Sequence, residues 1–216
     1  MKKTYFTIIL VLMFATVHAQ QDEKAKNILD QVRIKIGSFQ SIQADFIFTM
    51  KSTELGINEK NEGNIILKGQ KYCMDLPDVG MKMFSNGETT WNYMKDGNQV
   101  TITNISDASE LMDPVGLFNI YEKGFNPKFL QETTVAGKTV YILELFPDNS
   151  NNMDVSKISV NIDKSTIMLQ SVLLYGTDGN QYGIEIKNMA TNKNFPDSEF
   201  VFDAGKFPDV EIIDLR

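Results

Sequence analysis

Acid–base and nucleophilic chemistry at neutral pH runs most often through histidine, and this 216-residue chain has one, His18. It lies in an N-terminal stretch that reads as a secretory signal. Lys2 and Lys3 supply the charged start, Tyr5 to Ala15 the apolar stretch, and Val17-His18-Ala19 the small-residue cleavage site. Removal of residues 1–19 leaves a mature chain with no histidine. Ser–His and Cys–His nucleophile pairs are then excluded, and the commonest metal ligand is missing. There is no Walker A loop and no GxGxxG behind a strand. Carboxylates are plentiful, but they scatter through turns and strand edges without forming an evident pair. The run Asp148-Asn149-Ser150-Asn151-Asn152-Met153-Asp154 has a faintly calcium-like spacing. It lacks the glycine and the distal Glu of an EF-hand loop and reads as a solvated turn. Cys73, between Tyr72 and Met74, reads as a buried and inert thiol. The expectation is a non-enzyme with no catalytic residue, no metal and no cofactor.

Charge narrows the partners. The mature chain keeps 19 of 21 cationic side chains against 28 acidic ones, so its formal charge moves from −7 to −9. Only Arg33 and Arg216 are arginines. Such a surface suits neither nucleic acid nor anionic bilayers. Cys73 is the only cysteine, so no internal disulfide forms and stability rests on apolar burial. No cysteine stands at the cleavage site to carry a lipid. Residues 20–216 fit one domain.

What the chain has in abundance is soft apolar side chains. Nine of its eleven methionines and twelve of its fourteen phenylalanines lie beyond residue 19. One reading is an ordinary packed core. The other is a deformable cavity, because unbranched, polarisable methionine adapts to ligands of variable shape.

The elements that must position these residues are mostly strands. Ala25, Ile28, Leu29, Val32 and Ile36 make one stripe of a helix over 22–38, with Asp22 as N-cap and Gly37 as stop. The period then changes to two: Ile42, Ala44, Phe46, Phe48 and Met50 alternate along a half-buried strand. Glu54 to Glu62 reads as a polar turn region, followed by strands at 64–68 and 71–75. Residues 81–103 read as three strands joined by type I′ turns at Asn86-Gly87 and Asp96-Gly97. Between those turns sits the only Trp, Trp91. Asp107 to Met112 and Pro114 to Tyr121 read as two short helices carrying Leu111, Met112, Val115, Leu117 and Phe118, with Gly124 to Pro127 as a connector. Strands return at 138–146, 157–163, 168–175 and 181–188. The tail offers one short strand over 195–203 and another over 210–215.

The predicted fold is α+β. It is a strongly curved antiparallel sheet, an incomplete and unclosed barrel of about ten to eleven strands, with helices forming a lid over the apolar concave face. The predicted cavity lining is Phe46, Phe48, Met74, Met83, Trp91 and Met94. The predicted lid residues are Leu111, Met112, Val115, Leu117 and Phe118.

In this order the segments resemble the outer-membrane lipoprotein carrier family, LolA. The residues that carry the resemblance are Ser41-Ile-Gln-Ala-Asp-Phe-Ile-Phe48, Gly63-Asn-Ile-Ile-Leu-Lys68, Phe84-Ser-Asn-Gly-Glu-Thr-Thr-Trp-Asn-Tyr93 with Asn98-Gln-Val100, Pro114-Val-Gly-Leu-Phe118 and Phe207-Pro-Asp-Val-Glu-Ile-Ile-Asp214. The resemblance implies a periplasmic carrier that holds the acyl chains of lipoproteins inside a half-barrel. It implies three partners: acylated lipoproteins, an inner-membrane lipoprotein-releasing ABC transporter and an outer-membrane acceptor. The carrier is expected to act as a monomer with no nucleic acid. A binding or sensor protein for another lipid or amphiphile on the same fold is the alternative. One departure stands out. The family often carries an arginine that bonds to the lid directly after the lysine of the second strand, and here Lys68 is followed by Gly69-Gln70.

Overall fold

The computed structural model describes residues 22–107, 124–135, 137–148 and 154–216. Helix α1 covers 22–37. The strands are β1 Ile42–Ser52, β2 Ile57–Lys68, β3 Lys71–Leu76, β4 Met81–Ser85, β5 Thr89–Met94, β6 Gln99–Asn104, β7 Phe125–Val135, β8 Lys138–Pro147, β9 Val155–Asp163, β10 Met168–Gly176, β11 Gln181–Thr191 and β12 Glu211–Asp214.

Among the described residues all twelve strands join one sheet in the order β12-β6-β5-β4-β3-β2-β1-β11-β10-β9-β8-β7. Two meanders, β1–β6 and β7–β11, meet where β1 pairs antiparallel with β11. The parallel pairing of β12 on β6 is the exception to the antiparallel pattern. The sheet is unclosed, with β12 and β7 as its edges. Register shifts at Asp45/Phe46, Leu169/Ser171, Tyr175/Gly176 and Phe129/Gln131 bend the long strands.

The strand count therefore exceeds the expected ten to eleven. β2 begins at Ile57, so two thirds of the expected polar turn region, residues 57–62, is strand. Its backbone pairs with β1 from Ser52↔Ile57 to Ile47↔Glu62, and that ladder overrides the poor strand propensity of Asn, Glu and Lys. β7 runs through the expected connector, and Pro127 is tolerated there because β7 is an edge strand. The tail over 195–203 forms no strand. Its Asp197–Phe200 stretch is a 3₁₀ turn that delivers Phe200 into a core.

Neither expected type I′ turn forms. In the first, Asn86 keeps an ordinary φ while its side chain accepts from Glu88 N at 2.9 Å and Thr89 N at 2.8 Å, leaving Gly87 with the positive φ of 94°. In the second, Asn98 N donates to Lys95 O at 3.0 Å, and Asn98 rather than Asp96 takes the left-handed conformation at φ 43°. The side-chain hydrogen bonds of Asn select longer loops than the dipeptide signal implies.

The apolar stripe of α1 lies against one face of the sheet, the inner face. Ala25, Ile28, Leu29 and Val32 are buried among Phe125, Leu143, Leu145, Val155, Ile158, Val160 and Ile162. Each of these side chains larger than alanine stabilises by roughly 1.5–3 kcal/mol at most. The outer face of β2–β5 is covered by the C-terminal segment, whose Phe195, Phe200, Phe202 and Phe207 pack on Ile66, Cys73, Phe84 and Trp91. The expected lid residues, Leu111, Met112, Val115, Leu117 and Phe118, lie outside the described residues.

Candidate functional site

Register decides which apolar residues share the inner face. Ala44 sits opposite Ile65, Ile65 opposite Met74, and Met74 opposite Met83, so one row crosses β1 to β4. On the other side of β1, Phe46 faces Ile186 and Phe48 faces Ile184. Ile184 continues the row to Val172 and Val160, under α1. The inner face is thus one continuous apolar surface from β8 to β4.

The helix covers the β8–β10 half. On the other half, Ile42, Ala44, Phe46, Ile65, Leu67, Tyr72, Leu76 and Met83 form a buried cluster. Phe48, Met74, Met81, Ile184, Ile186 and Met189 pack around it and stay half-buried. Ile36 of α1 touches both clusters and joins the two halves. Gly63 makes room for the central ring. A Cβ there would lie 2.6 Å from Phe46 Cζ and 2.8 Å from Leu76 Cδ2, so the Phe46 ring lies directly on the β2 backbone.

The structure brings four of the six predicted lining residues together: Phe46, Phe48, Met74 and Met83 share this cluster. Trp91 is not among them. It pairs with Phe84, packs against the buried cluster of Cys73, Phe84 and Phe200, and so belongs to the outer face. Met94 has inner-face register, opposite Met81, but is 41% exposed and outside the cluster. The period-two pattern of β5 fits either face, because Trp91 and Tyr93 alternate with Asn92 and Met94. The sequence reading missed Ile184, Ile186 and Met189. Their alternation with Gly183, Glu185 and Lys187 was visible, with a bulge opposite Asp45/Phe46 shifting Met189 into line.

Toward β6 the inner face turns polar. Ser85 and Thr90 are buried, and Thr90 Oγ1 lies 2.7 Å from Thr103 Oγ1. Asn92, between Met83 and Thr101, buries its Oδ1 with no hydrogen-bond partner among the described residues.

At the other end, beside the C-terminus of α1, a cleft of about 370 Å³ opens. Ile36, Phe39, Ile42 and Leu67 form its apolar walls, Gly37 and Gly69 line it, and Arg33 is the charged residue among the described lining residues.

The lysines near the missing arginine serve the outer face. Lys68 Nζ donates to Phe195 O and to Asp197 Oδ1, both at 2.9 Å, and Lys71 Nζ donates to Asp197 Oδ2 at 2.8 Å. Hydrogen bonds from Lys71 and then Lys68 hold the Asp197 carboxyl down at about 2. Burial pushes the Cys73 thiol up to about 11, which keeps it protonated and unreactive at neutral pH. Among the described residues no group of His, Cys, Asp and Glu is arranged to hold a metal ion. No helix among them is long and apolar enough to cross a membrane.

A large unclosed antiparallel sheet with a helix laid along one apolar face is the architecture of the described residues. Two solved structures share it. An uncharacterized conserved protein from Thermus thermophilus aligns over 88% of this chain and 99% of its own, with a TM-score of 0.60 at 10% identity. A putative outer membrane lipoprotein-sorting protein domain from Vibrio parahaemolyticus aligns over 83% and 97%, with a TM-score of 0.50 at 13% identity. The family model described as "Outer membrane lipoprotein carrier protein LolA" matches residues 37–203, and the chain belongs to that family.

Among curated relatives, the outer-membrane lipoprotein carrier protein of Proteus mirabilis is 33% identical over 114 residues, half of this chain and 53% of that protein. An uncharacterized protein of Methanocaldococcus jannaschii is 27% identical over 209 residues, 94% of this chain and 58% of that protein. The chain thus spans between a half and three fifths of the length of these two relatives.

Proposed function

We propose that the protein is a periplasmic carrier that binds the acyl chains of lipoproteins on its inner face. It would collect them from an inner-membrane lipoprotein-releasing ABC transporter and deliver them to an outer-membrane acceptor. The observation that carries this reading is the half-buried rim of Phe48, Met74, Met81, Ile184, Ile186 and Met189 around Phe46. That is apolar surface beyond what α1 covers, in a chain of the carrier family.

The physical need fits the surface. Each methylene withdrawn from water is worth roughly 0.8 kcal/mol, so a long acyl chain carries on the order of 10 kcal/mol. A lipoprotein does not cross an aqueous gap with that surface exposed. Flexible methionines on the rim adapt to chains of different length, and the 107–121 segment, with Leu111, Met112, Val115, Leu117 and Phe118, is the proposed cover. No step of this function breaks or makes a covalent bond.

The test is to incubate the mature protein, with ATP, with membrane vesicles that hold a triacylated lipoprotein and the lipoprotein-releasing ABC transporter, and to sediment the vesicles. Lipoprotein in the supernatant, in a complex with the protein, is the expected result. Substituting Phe48 and Met74 by Asp should leave the lipoprotein in the pellet. If the unaltered protein releases none, the carrier reading is wrong.

A further inference from the structure

One row of paired residues crosses the inner face from β1 to β6: Ala44, Ile65, Met74, Met83, Asn92 and Thr101. The first four are apolar and the last two polar, so the character of the face changes between β4 and β5. Neighbouring strands lie about 4.8 Å apart, which makes the apolar part of the row roughly 14 Å long. An alkyl chain laid along it would bring its polar linkage to Asn92 and Thr101.

The polar groups at this border are not equivalent. Thr90 Oγ1 and Thr103 Oγ1 lie 2.7 Å apart and serve each other. Ser85 Oγ accepts from Gly87 N at 3.2 Å. Asn92 Oδ1 is the one buried side-chain polar atom among the described residues that has no hydrogen-bond partner. Folded proteins pair nearly all such atoms, so an orphan acceptor beside a binding surface points to a donor that the ligand brings. Asn92 as a whole is half-buried, and its amide turns about a soft terminal torsion, so a rotation presents Oδ1 to a ligand on the face.

An acceptor selects among linkages. An ester has acceptors and no donor, whereas a secondary amide has one N–H donor and one carbonyl acceptor. Thr101 stands directly opposite Asn92 and is also half-buried, so its hydroxyl is placed to donate to that carbonyl.

We propose that Asn92 and Thr101 form a subsite for the secondary amide of an N-acylated ligand. The ligand N–H donates to Asn92 Oδ1, its carbonyl accepts from Thr101 Oγ1, and its alkyl chain runs over Met83, Met74 and Ile65. The proposal rests on the reading of the inner face as an acyl-chain surface and specifies the linkage that surface prefers. An amide-linked chain is then held in preference to an ester-linked chain of the same length.

Calorimetric titration of the mature protein with N-methyldodecanamide, N,N-dimethyldodecanamide and methyl dodecanoate tests it. The second probe keeps the amide carbonyl and lacks the N–H, and the third is an ester. Each affinity is read as a ratio to that of Asn92→Leu, which cancels the differing hydration of the probes. N-methyldodecanamide should lose about tenfold in Asn92→Leu, while the two probes without a donor lose nothing. Thr101→Val should weaken both amides and the ester alike, because all three carry a carbonyl. Melting midpoints no lower than that of the unaltered protein show that both variants are folded.

Equal losses for all three probes in Asn92→Leu, no loss for any, or no binding of N-methyldodecanamide to the unaltered protein overturns the subsite. The vesicle assay run in parallel separates the two ideas. Release of lipoprotein without the amide preference overturns the subsite alone. The full amide preference without release of lipoprotein supports the subsite and overturns the carrier.

Discussion

Lys68 and Asp197 are joined at 2.9 Å across 129 positions of the chain, with Lys71 on the second carboxylate oxygen at 2.8 Å. This clamp ties the C-terminal segment to the β2–β3 hairpin on the outer face. Beneath the segment lie Phe200, fully buried, and the Cys73 thiol, 7% exposed. The thiol is therefore a reporter of whether the segment is docked. Asp197→Ala should raise the rate at which Cys73 reacts with an aromatic disulfide reagent at pH 8, by about tenfold, while the circular dichroism of the sheet is unchanged. Phe200→Ala should cost about 3–5 kcal/mol and expose the thiol further. Asp197 has its carboxyl held at about 2 by Lys71 and Lys68, so the clamp is complete above the ordinary carboxylate value and weakens as pH falls toward 2. Thiol reactivity unchanged in Asp197→Ala would mean the aromatic contacts alone hold the segment.

Asp163 anchors the turn between β9 and β10 and makes a second pH-dependent contribution. It is 5% exposed. Its Oδ1 accepts from Ser165 Oγ at 2.6 Å, Ser165 N at 2.8 Å and Thr166 N at 3.0 Å, and its Oδ2 accepts from Gln170 Nε2 at 3.1 Å. The Ser165 hydroxyl contributes most, and together these donors outweigh burial and lower the carboxyl to about 2. A folded value depressed below the unfolded one means stability present above pH ~4 and lost as pH falls through about 2. The amount is about 2 kcal/mol, because each tenfold change in proton affinity is worth about 1.4 kcal/mol. Urea denaturation at pH 5 and pH 2.5 should show a drop that is smaller by about this much in Asp163→Asn. An equal drop in both proteins would place the acid sensitivity elsewhere.

The strand-rich fold, the amphipathic helix and the shared inner face of Phe46, Phe48, Met74 and Met83 were legible in the sequence because each rests on local periodicity. The stripe from Ala25 to Ile36 and the alternation from Ile42 to Phe48 need no tertiary knowledge. Trp91 was misplaced for the opposite reason. Both faces of β5 carry large residues, and only its pairing with Phe84, under a segment more than a hundred residues later, assigns its side. β7 was hidden because Pro127 reads as a breaker, and only the position of the strand at the sheet edge makes it acceptable. The cleft beside α1 was likewise invisible, since its lining comes from α1 and from the β2–β3 turn, which meet only once the helix packs on the sheet.

Asn92 marks where the apolar inner face gives way to Ser85, Thr90 and Thr103. Its Oδ1 is buried without a partner among the described residues. A buried acceptor with no donor costs roughly 1–3 kcal/mol, and a branched apolar side chain of similar volume removes that cost. Asn92→Leu should therefore raise stability by about 1 kcal/mol and the melting midpoint by about 2–4 °C. Differential scanning calorimetry of the two proteins decides it. A lower midpoint in the variant would show that Asn92 has a hydrogen-bonding role that this arrangement does not include.

Gly63 links packing to binding most directly. Its absent side chain is what lets the Phe46 ring lie on β2, with Phe46 Cζ 2.6 Å from where a Cβ would stand. Backbone conformation is not the constraint, since Gly63 has no positive φ. Gly63→Ala must therefore push the ring outward or distort the strand, at a cost of about 1–3 kcal/mol. A ring driven off β2 moves toward Phe48 and Met74, the rim on which acyl chains are proposed to lie. Lipoprotein release from vesicles should fall by more than the loss of folded protein accounts for. The double variant Gly63→Ala with Phe46→Leu removes the clash, so it should recover stability and part of the release. Recovery of stability without any recovery of release would assign the Phe46 ring itself to the ligand surface. Failure to recover stability would place the strain of Gly63→Ala against Leu76 Cδ2, at 2.8 Å, instead.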